Sequence, residues 1–368
     1  MSKDPKSETT FMRGARSFLA HRFETVAREV FDDGWTPEEK EEKPLPTQVT
    51  IERARSIVSH NDSPDVGFDS SINPYRGCEH GCIYCYARPS HSYLELSPGL
   101  DFETKLFAKT NAAELLRAEL ARPGYRPSPI ALGANTDCYQ PIERKYKITR
   151  SILEVLAEAS HPLSIVTKSA LVERDLDLLG PMAAKNLVRV FVSIGTLDRE
   201  LARKLEPRAA SPQRRLDVLR NLSNNKIPCG VMVAALIPAL NDATMEHVLE
   251  AAAEAGAEEA AYVIMRLPNE LKDLFKEWLA AHYPQRAAHV MSVVHQMRGG
   301  RDNDPRFGTR MSGTGTFAEL VAKRFDIACR RLGLNEHAMH GHGGRRRAEL
   351  DCTLFRPPSA NPGQMALF

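Results

Sequence analysis

The stretch "SINPYRGCEHGCIYCYARPSHSYL", Ser71 to Leu94, places three of the chain's seven cysteines within eight residues. Cys78, Cys82 and Cys85 are spaced C-x3-C-x2-C and follow directly on a short apolar run, Asp69 to Asn73, that reads as a strand. Three thiols pose a question of number. Structural zinc sites take four ligands, usually as two separated pairs, and the next cysteine, Cys138, is 53 residues on. A zinc module would have to be completed by His80 or His91. A 4Fe-4S cluster that only carries electrons also takes four thiolates, whereas three leave one iron open to a non-protein ligand. On spacing alone both readings stand.

The bounding properties narrow the setting. At 368 residues the chain has the length for one large α/β domain or two smaller ones. Its 42% hydrophobic and 26% charged content is that of a globular protein, which excludes disordered and fibrous classes. No apolar run approaches the roughly 20 residues of a spanning helix. The opening "MSKDPKSETTFMRGARSF" lacks the apolar core of a secretory signal, so a cytoplasmic protein without a membrane partner is expected. Thiols stay reduced there, and a tight cysteine group binds metal or does redox chemistry. A net charge of +2 predicts no nucleic-acid partner by itself. Residues 297–347, however, carry eleven Arg and Lys against five acids. That basic footprint is compatible with phosphate binding, and equally with a solvated surface.

Along the chain, residues 1–65 are polar, include the mixed-charge run "EEKEEKP", and read as a partly disordered extension with a short helical stretch from Phe18 to Phe31. From residue 66 to 290, short apolar runs alternate with helical ones. Strands are expected at Asp69–Asn73, Ile130–Ala134, Leu163–Thr167, Val188–Ile194, Gly230–Ile237 and Ala260–Met265, with helices such as "TRSILEVLAEAS" and "SPQRRLDVLRNL" between them. Six such units predict an α/β fold, a partial (β/α)6 TIM-type barrel, with chemistry at the C-terminal strand ends. Residues 291–357 form a basic, mainly helical C-terminal region, and 358–368 a flexible tail.

The cluster stretch resembles the radical S-adenosylmethionine (SAM) superfamily, whose signature is this C-x3-C-x-aromatic-C run, with Tyr84 as the aromatic. "DFETKLFAK", "GANTDCYQPIE", "VTKSALVERDLDLL", "VSIGTLD", "LEPRAASPQRRL" and "RLP" extend the resemblance over residues 60–270 to the spore photoproduct lyase-like branch, within it to a bacterial group of unassigned substrate. The resemblance implies one 4Fe-4S cluster on Cys78, Cys82 and Cys85. Its open iron would chelate SAM, and reductive cleavage would give methionine and a 5'-deoxyadenosyl radical. An electron donor such as a flavodoxin or ferredoxin is implied, and damaged DNA as a substrate; modification of a protein, tRNA or small metabolite is the alternative.

Residue by residue, the resemblance puts Tyr84 and Tyr86 beside the cofactor in hydrogen transfer and gives Lys168 to the SAM carboxylate. Ser193 and Thr136 fall on serines near the cofactor, and Glu206 and Arg215 on the ribose or amino group, or else on a structural ion pair. One departure matters. The branch has a hydrogen-donating cysteine just before "TSD", where this chain has Ala134; Cys138, four residues on, is the available substitute, or else an inert small apolar residue. The remaining cysteines, Cys229, Cys329 and Cys352, are isolated, so no second cluster is expected. His337, His340 and His342 lack a carboxylate or cysteine partner and read as a basic loop. "RGGRDNDPRFGTRMSGTG" is rich in Gly and Arg but lacks the phosphate-loop order. The end "QMALF" resembles the peptide that binds the bacterial sliding clamp, through Gln364, Leu367 and Phe368, on a linker containing three prolines; packing back onto the barrel is the competing reading.

Overall fold

The computed structural model describes residues 13–24, 45–336 and 349–358. Among them the strands are β1 (Gln48–Glu52), β2 (Val58–His60), β3 (Ser70–Ile72), β4 (Tyr75–Arg76), β5 (Lys105–Lys109), β6 (Ile130–Leu132), β7 (Leu163–Thr167), β8 (Val188–Ser193), β9 (Cys229–Leu236) and β10 (Glu259–Ile264). The α-helices are α1 (Asp101–Thr104), α2 (Ala112–Leu120), α3 (Glu143–Tyr146), α4 (Ile148–Glu158), α5 (Leu176–Ala183), α6 (Arg199–Leu205), α7 (Pro212–Asn224), α8 (Met245–Glu254), α9 (Leu271–His282), α10 (Pro284–Met297) and α11 (Thr316–Leu332).

The main sheet runs β10-β9-β8-β7-β6-β3-β2. From β3 to β10 all neighbours are parallel, and β2 joins β3 antiparallel. Each parallel strand therefore lies beside its predecessor, the winding of a (β/α) barrel, and the six-stranded arc is open. β8, "VRVFVS", is buried at every position because sheet neighbours flank it and helices cover it. α4 buries Ile148, Ile152, Leu153, Val155 and Leu156, the helical spacing that lays one apolar face on the sheet. α7 starts where Ser211 accepts the Arg214 N–H and Pro212 takes the first turn.

All six expected strands form, that at Leu163–Thr167 with the expected ends and the others with ends moved by at most two residues. A second sheet, β1-β5-β4, was not expected. Part of the N-terminal extension is built into the fold. β1 and β2 lie within it, and Arg13 to Glu24 forms a strap without helix. The start of the helix expected at Phe18–Phe31 is thus absent, and its remainder lies outside the described residues. The strap is fixed by the Gly14 and Ala15 N–H groups, which donate to the Glu103 carboxylate at 2.9 and 2.7 Å. The boundary expected after residue 290 falls inside α10. His337, His340, His342 and the tail with Gln364, Leu367 and Phe368 lie outside the described residues. No helix among the described residues is long and apolar enough to cross a membrane.

Four arginines of the basic footprint of residues 297–347 are held in ion pairs among the described residues. Arg306 pairs with Asp304, Arg310 with Asp65, Arg324 with Glu246 and Arg331 with Glu250. Arg298 is buried and directs its donors to backbone carbonyls. Part of the local excess in sequence is therefore answered in the fold by acids from other elements, Asp65, Glu246 and Glu250.

Candidate cofactor site

The cysteine loop leaves β4 and folds back on α1. The Cys78 N–H donates to the Phe102 carbonyl at 2.9 Å, and the loop closes in turns from Gly81 to Cys78, Cys85 to Cys82 and Arg88 to Cys85. Gly77 has φ +74°, and a Cβ there would sit 2.8 Å from the Phe102 carbonyl oxygen, so this turn requires glycine. Inside the loop lies the Arg88 guanidinium, fully buried, donating to the carbonyls of Cys82 (2.9 Å), Gly81 (3.0 Å), Gly99 (2.9 Å) and Pro98 (3.2 Å). Its charge is met by Glu103 at 2.5 Å. A buried pair of this kind holds carbonyls that the irregular loop leaves without ladder partners.

Cys78 and Cys82 are buried, Cys85 nearly so, and all three thiols are free. Burial pushes each above the ordinary thiol range, Cys82 to about 12. Asp137, Cys82 and Cys85 add to the effect on Cys78, whereas Lys168 opposes burial at Cys82. Three thiols that burden one another electrostatically fit a cationic centre that would relieve them, and a donor set of three fits a cluster with one open iron. Among the described residues no three His, Cys, Asp or Glu side chains converge on a point for one metal ion; a cluster takes its thiolates on separate irons.

Beside the thiols stands a charged group drawn from the end of β7, the end of α6 and the first turn of α7. Lys168 follows β7, and its ammonium lies 5.8 Å from the centre of the Tyr84 ring. The Tyr84 hydroxyl donates to Glu206, whose other oxygen accepts from Arg215. Arg215 is anchored by donation to the carbonyls of Ser193 (2.8 Å) and Ala210 (2.7 Å). The Ser193 hydroxyl, at the end of β8, donates to the Ala234 carbonyl at 3.1 Å. Burial works against the Glu206 carboxylate, yet Arg215 and Lys168 outweigh it and lower its pKa. Burial likewise works against the Lys168 ammonium, and the neighbouring Cys82 and Glu206 outweigh it and raise its pKa. The result is a water-poor wall carrying both signs of charge, suited to a zwitterionic amino acid group.

Cys82, Tyr84, Lys168, Ser193, Glu206 and Arg215 are thus brought together. Tyr86 is at the rim, 47% exposed, its hydroxyl donating to the Ala134 carbonyl. Thr136 does not join the group. It is buried, with its hydroxyl donated to the Tyr75 carbonyl at 2.8 Å. Nor does Cys138, which is fully buried in the main core among apolar side chains, as a small hydrophobe. Sequence reading missed Arg88, Glu103 and Asp137. Asp137 accepts the Lys168 backbone N–H at 2.7 Å and the Thr167 hydroxyl at 2.8 Å, and stands 3.3 Å from His80 Nδ1. Its only signal was its place in "NTD".

The family model described as "Radical SAM superfamily" matches residues 72–252, the segment that holds every residue of this group. Among relatives, an uncharacterized protein of Mycobacterium tuberculosis is 40% identical over 59% of this chain. This chain spans 65% of the length of that relative. An uncharacterized protein of Methanocaldococcus jannaschii is 29% identical over 65% of this chain and 86% of its own. Among solved structures, spore photoproduct lyase complexed with dinucleoside spore photoproduct superposes with a TM-score of 0.54 at 17% identity, over 77% of this chain and 78% of that one. The fold is therefore that of the lyase.

Proposed function

We propose that the protein is a cytoplasmic radical SAM enzyme of the spore photoproduct lyase-like kind, acting on damaged DNA. The observation that carries the reading is the juxtaposition of three free thiols in one loop with Lys168 at the end of β7, Glu206 at the end of α6 and Arg215 in α7. Cys78, Cys82 and Cys85 would hold one 4Fe-4S cluster, and the charged wall would hold SAM, Lys168 on its carboxylate and Glu206 on its amino or ribose groups. When bound there and reduced, such a cluster would supply the electron for cleavage of SAM to methionine and a 5'-deoxyadenosyl radical. A flavodoxin or ferredoxin would deliver that electron. The chain's own part is to seal the loop through Arg88 and Glu103, to fix Tyr84 against Glu206, and to present Tyr86 toward the substrate. Placed beyond the proline-containing segment, Gln364, Leu367 and Phe368 would tether the enzyme to the sliding clamp and so to DNA without a strongly basic surface.

Anaerobic reconstitution followed by dithionite reduction tests the chemistry. A brown protein with about four irons that releases 5'-deoxyadenosine from SAM is the expected result. Stoichiometric zinc without iron uptake, or an iron-loaded protein that leaves SAM intact, would overturn it.

A further inference from the structure

Tyr84 and Tyr86 flank the same cysteine, yet Tyr84 is 8% exposed and Tyr86 47%. With its hydroxyl tied to Ala134, the Tyr86 ring is held at the rim. Over it, 5.7 Å from the ring centre, lies the guanidinium of Arg266, just beyond β10. Its one hydrogen bond among the described residues is a weak one to Met311 Sδ at 3.6 Å, and its Nε is buried with no partner. Among the described residues no carboxylate pairs with it. Asp65, the acid whose charge it feels, is already engaged by Arg310 and by the Gly308 N–H.

The loop that supplies Met311 is rich in glycine but firmly built. Arg298 donates to the Thr309 and Arg310 carbonyls at 3.0 and 2.9 Å and to the Met265 carbonyl at 2.9 Å, and the Ile264 N–H reaches the Met311 carbonyl at 2.9 Å. Phe307, 57% exposed with the Arg310 guanidinium 4.5 Å from its ring centre, lies in this loop, four residues before the Met311 that touches Arg266. An uncompensated guanidinium asks for an anion, and the part-exposed Tyr86 ring beneath it, with the exposed Phe307 ring in the loop that reaches it, asks for a planar group. A nucleotide offers both in one unit.

We infer that Tyr86, Arg266 and Phe307 form the reading rim for one unstacked nucleotide of a DNA strand, the rings taking the base and Arg266 the neighbouring phosphate. The inference rests on the nucleic-acid reading proposed above, but its test does not depend on radical chemistry.

Fluorescence anisotropy of a labelled oligo(dT) 12-mer with the full reconstituted chain measures it. Arg266→Ala and Phe307→Ala should each weaken binding roughly tenfold, while Arg330→Ala, on the exposed side of α11, should leave it unchanged. Arg266→Ala should also flatten the log–log salt slope by about 0.7, the value for one phosphate on a single strand, and Arg266→Lys should restore the slope. Phe307→Leu serves if the alanine variant does not fold. Absence of binding at low salt, unchanged affinity in both rim variants, or tighter binding of a matched RNA overturns the inference. A protein that cleaves SAM but ignores oligo(dT) loses the rim and keeps the radical chemistry. One that binds and leaves SAM intact keeps the rim and loses that chemistry.

Discussion

Asp137 Oδ2 accepts the backbone N–H of Lys168 at 2.7 Å, so the carboxylate after β6 fixes the point from which the Lys168 side chain starts. The same carboxylate takes the Thr167 hydroxyl and stands beside His80 in the cysteine loop. It is held near 2: burial opposes ionisation, but His80 and the two backbone N–H groups outweigh it. Asp137 thereby ties the thiol loop to the lysine across two strands.

Replacing Asp137 with Ala should unfix both. The expected stability loss is about 2 to 4 kcal/mol, since buried N–H groups and a hydroxyl lose an ionised acceptor. SAM affinity should fall more than that of Asp137→Asn, which keeps one acceptor oxygen. Urea denaturation and equilibrium dialysis with SAM check the two effects separately. Equal SAM affinity in both variants would show that Asp137 acts on stability alone.

For Lys168, removal of the ammonium should weaken SAM by about 2 to 5 kcal/mol, the cost of stripping a buried carboxylate of its cation. Lys105, paired with Asp101 at 3.0 Å and 44% exposed, supplies the comparison, and Lys105→Ala should leave SAM affinity within experimental error. Comparable losses in the two variants would place the carboxylate elsewhere.

The Arg88–Glu103 pair should be far less tolerant of single than of double replacement. Arg88→Met leaves the Glu103 charge buried, and about 3 to 5 kcal/mol of stability should be lost. Glu103→Gln strands the guanidinium and loosens the strap at Gly14 and Ala15. Thermal unfolding of the two single variants and the double variant gives the coupling, and additive losses would refute it.

His161 supplies the pH dependence. Burial lowers its pKa to about 4, although its bond to the Pro162 carbonyl works the other way. Because the folded value lies below the unfolded value of about 6.5, the unfolded chain binds the extra proton between those limits, and stability falls with acidity. The contribution is fully present above pH 6.5 and diminishes toward pH 4, by about 2 kcal/mol at pH 5. Chemical denaturation at pH 7 and pH 5 should show this, and His161→Asn should flatten it. The ring also packs edge-on against Phe355 at 5.5 Å, so acidification should release the segment around Phe355 first.

The sequence by itself determined the six parallel strands, their order of use and the three-thiol loop. Each is a local signal: an apolar run of strand length, a helical period, or ligand spacing within one turn of chain. The same locality explains what was missed. β1 has an exposed and half-buried pattern, without the apolar run that marks a buried strand, so only its pairing with β5 makes it one. The extension was therefore read as lying outside the fold.

Only the tertiary structure decided which polar residues share a site. Tyr84 meets Glu206 across 122 positions of chain, and Arg215 reaches Ser193 across 22. Lys168, Ser193, Glu206 and Arg215 were legible because a family resemblance stood in for those contacts. Thr136 and Cys138 were read from the same resemblance, yet the backbone after β6 turns one toward Tyr75 and the other into the core. The basic C-terminal region shows the same limit. Charge counted along a chain is additive, whereas charge in a fold depends on which acids are brought near, and there Asp65, Glu246 and Glu250 cancel arginines that sequence counting left free.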